Sequence, residues 1–411
     1  MRKSVLILLV VTLAFVSCAK KGPTELIVQS YMSDEAPKKA FADLVADFQT
    51  KNPKIKVTVN TVAHEQFKTQ LTNYLTAKEA PDVLTWFAGF RMQQYAMKGL
   101  LEPIDTAFPG GAFEKEFPAA FKPAASFEGK AYFMPQSWYW WAVYYNKDVF
   151  AKYKLETPKT WDEFLAVCET LKKNGVAPIA IGAKDTWTAG GWFDYMNVAV
   201  NGGPAHQKLV GGSVAYTDPA VQKTFGYIAE LSKKGYIMPN ATSYSWQEAA
   251  NVMFDGKAAM YLMGQFIKDV APADKKDKID FFTFPKVGRD DYGVDTPTDG
   301  FIVPAKAKNK EAAKLFVAYL GTKEAQEMFC KPLGRLAANV NVPVPNADAQ
   351  RGLDMVKGAA FAAQFYDRDA PEEMAAKGMN AIVDIIQTPD KSADILAALD
   401  KERVRIYADL K

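Results

Sequence analysis

Between Glu25 and Phe87 the chain reads strand, helix, strand, helix, strand, and this alternation restricts the fold more than any other feature of the sequence. Glu25–Tyr31 reads as a strand. Ala36–Lys51 follows, with Phe41, Leu44, Val45 and Phe48 at the spacing of one helix face, and Asn52-Pro53 ends it. Ile55, Val57 and Val59 alternate as a second strand. Glu65–Lys78 puts Phe67, Leu71 and Tyr74 on one face of a second helix, and Asp82–Phe87 is a third strand. Strands joined through helices pair in parallel, with helices on both faces. Such sheets take ligands outside the carboxyl ends of their strands. The loops Ser30–Glu35, Val62–Gln66 and Trp86–Arg91 are therefore candidate site loops.

A second α/β region starts at a strand over Tyr139–Asn146. Thr160-Trp161-Asp162-Glu163 and Ser245-Trp246-Gln247-Glu248 are capping boxes; the second opens a helix over Glu248–Phe254. Strands are predicted over Ala177–Gly182, Ala258–Met263 and Phe281–Phe284. Helices are predicted over Asp218–Lys234, over Asn309–Phe329, and over most of Gln364–Lys411. A chain of 411 residues exceeds one ordinary domain. Two α/β lobes with no repeat and no clear linker imply that the chain crosses between them more than once.

The N-terminus carries Arg2 and Lys3, then an apolar run over Val5–Val16, then Ser17-Cys18: an export signal too short for a comfortable membrane anchor. Phe15-Val16-Ser17-Cys18 resembles a lipoprotein lipobox, with Phe15 where that pattern prefers Leu. It implies a signal peptide over residues 1–17 and lipid attachment at Cys18; the alternative is ordinary cleavage that leaves Cys18 a free thiol. Removing residues 1–17 takes away Arg2 and Lys3, so the net charge of +3 falls to +1. No nucleic-acid partner is expected from so balanced a chain. Two histidines, His64 and His206, argue against His-built zinc sites and Ser-His-Asp triads. Three cysteines exclude a disulfide scaffold, and Cys168 and Cys330 are expected as buried free thiols.

Five segments, in order, resemble one family: Pro81-Asp82-Val83, Lys98–Ile104, Tyr144–Phe150, Pro158–Phe164 and Asp255–Met260. Together they look like the extracellular solute-binding proteins, family 1, that feed carbohydrate ABC importers, with maltose-binding protein as a relative. The resemblance covers essentially the whole mature chain. Gly182–Trp187, Phe193-Asp194-Tyr195 and Asp367-Arg368-Asp369 look like a monosaccharide or small-oligosaccharide branch. The family implies an α/β, periplasmic-binding-protein-like (type II) fold: two lobes around a ligand cleft, joined by three crossovers and closing like a hinge. By similarity the crossovers fall near Pro135–Trp138, Thr296–Asp299 and Asn339–Pro343. The N-lobe is then 24–136 plus 298–341, and the C-lobe 137–297 plus 342–411. The implied partners are a sugar, ABC permease subunits and, through the lipid, a membrane facing the periplasm or cell exterior; the implied state is a monomer without cofactor.

Sugars present apolar CH faces and a rim of hydroxyls, so their sites pair aromatic rings with carboxylates, amides or guanidinium groups. Aromatics make up 13% of this chain. Candidate ligand residues are Trp86 and Gly89 after the third strand, and Trp138 at the first crossover, favoured over Trp140. Trp187 and Asp194 flank Ala189-Gly190-Gly191, read as a flexible turn. Trp246, Gly264, Asp299 at the second crossover, Arg335 and Glu65 complete the set. Arg335 either donates to hydroxyls or bridges Asp299; Glu65 either accepts from a hydroxyl or caps its helix. Asp367 and Arg368 either pair with each other at the cleft edge or play no part.

Other classes fit less well. Neither Cys168 nor Cys330 has a neighbouring His to make a thiolate, so no catalytic residue is assigned. The phosphate loop of a transporter ATPase is absent from the sequence, and no metal-ligand cluster is visible. The rival binding class is a polyamine or other cation held by aromatic and acidic residues.

Overall fold

The computed structural model describes residues 23–108 and 113–409. The expected signal over 1–17 and the expected lipid site Cys18 lie outside the described residues. In chain order the strands are β1 (Thr24–Ser30), β2 (Ile55–Thr61), β3 (Val83–Phe87), β4 (Ser126–Phe127), β5 (Lys130–Ala131), β6 (Met134–Trp138), β7 (Trp141–Asn146), β8 (Ala177–Ile179), β9 (Ala258–Gly264), β10 (Ile279–Phe282), β11 (Gly293–Asp295), β12 (Thr298–Ile302), β13 (Leu336–Ala337) and β14 (Phe361–Ala363).

Six strands form the N-lobe sheet, in the order β13-β6-β12-β3-β1-β2. β1 pairs in parallel with β2 and with β3, as helical crossovers require. The sheet as a whole is mixed, because β12 runs antiparallel to β3 and β6, and β13 antiparallel to β6. β12 enters from the other lobe, so no crossover helix dictates its direction. The C-lobe sheet has the order β10-β7-β9-β8, with one parallel pair, β8 and β9. The protein is therefore a two-lobed α/β fold with a core in each lobe.

The helix Glu35–Lys51 buries Phe41, Leu44, Val45 and Phe48, the stripe its spacing predicts. Phe41 stacks on Phe301 at 5.6 Å and Phe48 meets Phe316 edge-on at 4.8 Å, so the stripe and β12 share one core. Burying one such ring fully is worth about 1.5–3 kcal/mol. In the C-lobe both capping boxes form: Thr160 and Ser245 accept from the amides of Glu163 and Glu248, whose carboxylates accept in return. They start helices at Trp161 and Trp246, the second two residues earlier than expected.

The sheets fix where the chain changes lobe. It leaves β6 at Trp138 and enters β7 at Trp141. It returns between Asp295, the end of β11, and Thr298, the start of β12. After β13 it leaves again, and the helix Ala347–Gly358 buries Ala349 and Met355 in the C-lobe core.

Two expectations change. The single helix over 309–329 is two, Lys310–Leu320 and Lys323–Leu333, because Thr322 accepts from the Ala325 amide and starts a new helix. The supposed turn at 189–191 lies inside the buried helix Trp187–Asn201. Its glycines serve packing: a Cβ on Gly191 would come within 2.7 Å of the Trp141 ring.

Candidate functional site

A cavity of about 120 Å³ lies between the lobes, lined from both. One water needs roughly 10–15 Å³ on that measure, so the space suits a small molecule. The C-lobe supplies an aromatic wall. Trp141 stacks on Phe365 at 4.9 Å and 29°, and meets Trp187 edge-on at 5.9 Å. Trp246 stands perpendicular to Phe266, with centroids 5.2 Å apart. The N-lobe adds Tyr31, His64 and Phe87; Tyr31 and His64 meet edge to face at 4.8 Å.

The polar part of the cavity is a set of buried ion pairs, each joining one lobe to the other. Arg368, from the C-lobe turn Tyr366–Asp369, donates to Asp299 of β12 at 3.0 Å and to the Tyr139 hydroxyl at 2.9 Å. Its guanidinium also lies 4.5 Å from the Phe87 ring centre. Arg335, on the N-lobe side just before β13, pairs with Asp269 of the C-lobe. Lys68, on the N-lobe helix His64–Thr76, reaches Asp367 of the C-lobe turn at 3.1 Å.

Electrostatics keep Arg368, Arg335 and Asp367 charged, whereas burial raises the Asp269 carboxyl against the pull of Arg335. Burial works against the Arg368 and Arg335 charges, but neighbouring anions outweigh it and raise both pKa values. Burial likewise works against the Asp367 carboxylate, yet Lys68, Arg368 and Arg91 hold it below the usual range. Burial, foremost, keeps the Tyr31 and Tyr139 hydroxyls protonated.

Of the predicted residues, Trp187, Trp246, Asp299 and Arg335 line this cavity. The others lie elsewhere. Trp86 is fully buried in the N-lobe core, stacked on Phe87 at 4.0 Å; it is Phe87, one residue on, that reaches the cavity. Gly89 has φ +112°, and a Cβ there would come within 2.8 Å of Asp369 Oδ1, so it admits the C-lobe turn. Trp138 donates its indole N–H to the Ala337 carbonyl at 3.0 Å and meets Phe121 edge-on, away from the cavity. Gly264 ends β9, and its missing side chain leaves room for Phe266 to fold over the strand end.

Asp194 is fully buried behind the cavity. It accepts from the Tyr366 amide at 3.1 Å and thereby anchors the turn that carries Asp367 and Arg368. Burial and Asp295 push its carboxyl well above the usual range, and burial lowers His206, 3.6 Å away, to about 4. Glu65 sits one residue past the cavity-lining His64. It pairs with Lys68 at 3.2 Å and with His64 at 2.9 Å; these partners overcome burial and lower it to about 2. Asp367 and Arg368 do not pair with each other but with Lys68 and Asp299.

Sequence reasoning missed Tyr139, Trp141, Phe266, Phe365 and Asp269. Tyr139 and Trp141 carried a readable signal, since they alternate with Trp138 and Trp140, although the strand expected from Tyr139 starts only at Trp141. Phe266, Phe365 and Asp269 follow strand ends or irregular turns, where no periodicity marks a direction.

Residues 33–327 match the model of the bacterial extracellular solute-binding protein family. An uncharacterised ABC transporter extracellular-binding protein of Pyrococcus horikoshii is 31% identical over 332 residues, which span 79% of this chain and 74% of that one. A multiple sugar-binding protein of Streptococcus mutans is 24% identical over 70% of this chain and 69% of its own. Among solved structures, the bacterial solute receptor AcbH, described as having an exclusive preference for β-D-galactopyranose, superposes with a TM-score of 0.88. It is 34% identical, over 94% of this chain and all of its own. With a family match over most of its length, and two α/β lobes closed on an aromatic and charged cavity, the chain belongs to the bacterial extracellular solute-binding proteins.

Proposed function

We propose that this protein captures a neutral sugar, a monosaccharide or short oligosaccharide, by hinge closure and delivers it to the permease of an ABC importer. In this reading it is exported, acylated at Cys18, monomeric, held at the membrane by its lipid and free of catalytic activity. One observation carries the choice of ligand. Three of the four cavity carboxylates, Asp269, Asp299 and Asp367, are each paired with a cation of the other lobe, and the fourth, Asp34, accepts from the Gln247 side-chain amide at 3.3 Å. A polyamine would have to displace those cations from buried positions, at high electrostatic cost. A neutral polyol need only share the existing charges: Asp299 accepts from its hydroxyls, Arg368 donates to them, and Trp187, Trp246 or Trp141 stack on its CH face. The sugars named for AcbH and the Streptococcus mutans protein support the same class. The small cavity volume supports a short ligand.

Tryptophan fluorescence tests this directly. The protein lacking residues 1–17 is titrated with D-galactose, other monosaccharides and disaccharides, with spermidine as the contrary ligand. Saturable quenching or a spectral shift with one sugar supports the reading. A response to spermidine and to no sugar overturns it.

A further inference from the structure

Lys68 lies outside the cavity and outside every site residue the sequence suggested, yet it is tied to the cavity from behind. Its ammonium sits between two carboxylates, Glu65 of its own helix at 3.2 Å and Asp367 of the opposite lobe at 3.1 Å. The side chains of Lys68 and Asp367 are 10% and 7% exposed. Asp367 lines the cavity, and its neighbour Arg368 holds Asp299. The turn that carries both is pinned to the N-lobe a second time, where Arg91 donates to the Asp367 carbonyl at 3.3 Å.

We propose that Lys68 is an interlobe positioning residue, which orients the cavity carboxylate of Asp367 for the ligand and does so only when the lobes are closed. The inference rests on the sugar-capture reading for its ligand, but its geometry is independent of which molecule binds. A buried carboxylate facing an apolar wall would turn away or take up a proton. A lysine delivered by the other lobe prevents both, and its pairing ends when the lobes part and each charge is hydrated. Closure therefore completes the site, and whatever stabilises the completed site stabilises closure.

The groups facing this pair are known from every element around it. Arg368 and Arg91 act on Asp367 beside Lys68. Asp194 lies behind the same turn, bonded to the Tyr366 amide. Glu65 faces Lys68, His64 faces Glu65, and Asp185 of the C-lobe faces all three across the cleft. Arg368 and Arg91 remain when Lys68 is replaced, so Asp367 keeps part of its stabilisation while the loss of Lys68 moves its titration upward.

The test uses Lys68→Met, which keeps the stem and removes the charge, and Lys68→Arg, which keeps the charge. Sugar affinity is measured by calorimetry between pH 4.5 and 8, and lobe opening by small-angle scattering without ligand. Lys68→Met is expected to bind sugar about tenfold more weakly at pH 7, a factor worth about 1.4 kcal/mol. Its affinity is expected to fall more steeply on acidification than that of wild type, in which Asp369 of the same turn also titrates, at about 6, its ligand-free radius to be larger, and Lys68→Arg to recover most of the loss. A purely structural lysine would lower stability without creating that pH dependence. Equal affinity, pH profile and radius in Lys68→Met and wild type overturn the proposal. If wild type binds no sugar, sugar capture fails by itself, and the ligand-free radius still decides the role of Lys68: wider supports it, unchanged overturns it.

Discussion

Arg368 Nη1 and Asp299 Oδ1 lie 3.0 Å apart, and the two residues come from opposite lobes of the chain. Both are nearly buried, with side chains 9% and 12% exposed. Each therefore has an opposite charge within hydrogen-bond distance where little water reaches it. The same guanidinium bonds Tyr139, which lies in the first crossover between the lobes. The pair thus joins the cavity floor to the hinge, and a ligand that bonds to it is bonded to both lobes at once.

Asp299→Ala should accordingly weaken sugar binding by about 1.5–3 kcal/mol, the range of a hydrogen bond to a charged group. The loss has two parts: an acceptor for sugar hydroxyls disappears, and Arg368 is left buried without its partner. Asp299→Asn keeps an acceptor oxygen and should lose less. Calorimetry on the two variants, with circular dichroism to check folding, measures both. Equal affinity for Asp299→Ala and wild type would remove Asp299 from the site.

Trp246 and Trp86 make a matched pair. Each is a tryptophan that sequence reasoning placed at the ligand; one lines the cavity and the other lies in the N-lobe core. Trp246→Ala should lose about 0.5–1.5 kcal/mol of sugar affinity from stacking alone, beyond the area it no longer covers. Trp86→Phe should leave affinity unchanged while lowering unfolding free energy by about 1–3 kcal/mol. Fluorescence titration and thermal melts of the two variants separate a ligand-stacking ring from a core ring.

Asp369 gives stability a pH dependence of definite sign. Burial raises its carboxyl to about 6, against the Phe90 amide, which donates to it at 3.2 Å, and Arg368. A carboxyl whose folded pKa lies above its unfolded value favours folding when protonated. That contribution is complete below about pH 4 and is lost as pH rises through about 6. Asp369→Asn keeps the oxygen that accepts from Phe90 and carries no charge. It should match wild type near pH 4 and be more stable at pH 8, by about 1 kcal/mol once solvent screening of this partly exposed group is allowed for. Melting curves at the two pH values decide it; equal melting temperatures at pH 8 would show that the carboxylate costs nothing there.

Where the sequence could be read, periodicity or chemistry gave an unambiguous direction. The stripe Phe41–Phe48 could only face a core, the capping boxes at Thr160 and Ser245 could only start helices, and β1, β2 and β3 with helices between them could only pair in parallel. Trp187 beside a supposed turn, Trp246 at a capped helix start, Asp299 at a crossover and Arg335 were named from residue type and local position, and all four line the cavity. Trp86 and Trp138 were named by the same argument and lie elsewhere, because a strand turns neighbouring side chains to opposite faces and residue type does not say which face is wet. The partners were harder still. Asp269 and Arg335 are 66 residues apart in sequence, with β10, β11 and β12 between them, and only the third dimension brings an anion of one lobe to a cation of the other. The helix Trp187–Asn201 was hidden for a different reason. It is apolar on nearly every side and carries two adjacent glycines, so it shows neither an amphipathic period nor helix-forming composition.

One of those two glycines, Gly191, and Gly226 of another helix make a last pair of variants. Glycine in a helix interior ordinarily costs roughly 1 kcal/mol relative to alanine, so Gly→Ala should stabilise wherever there is room. At Gly226, in the helix Pro219–Lys233, no atom lies within 4 Å of an added Cβ, and Gly226→Ala should stabilise by about 0.5–1 kcal/mol. At Gly191 the added Cβ would stand 2.7 Å from Trp141 Cζ3, in contact with a rigid ring rather than a flexible chain end. Trp141 stacks on Phe365 at 4.9 Å and borders the cavity, so a displaced ring disturbs the cavity wall. Gly191→Ala should therefore cost about 1–3 kcal/mol of stability through overpacking and weaken sugar binding about tenfold, while Gly226→Ala leaves binding as it is. Melting temperature and calorimetric affinity, measured on both variants, test the assignment of Trp141 to the ligand wall. A Gly191→Ala protein that binds sugar as wild type does would place the ring outside the site.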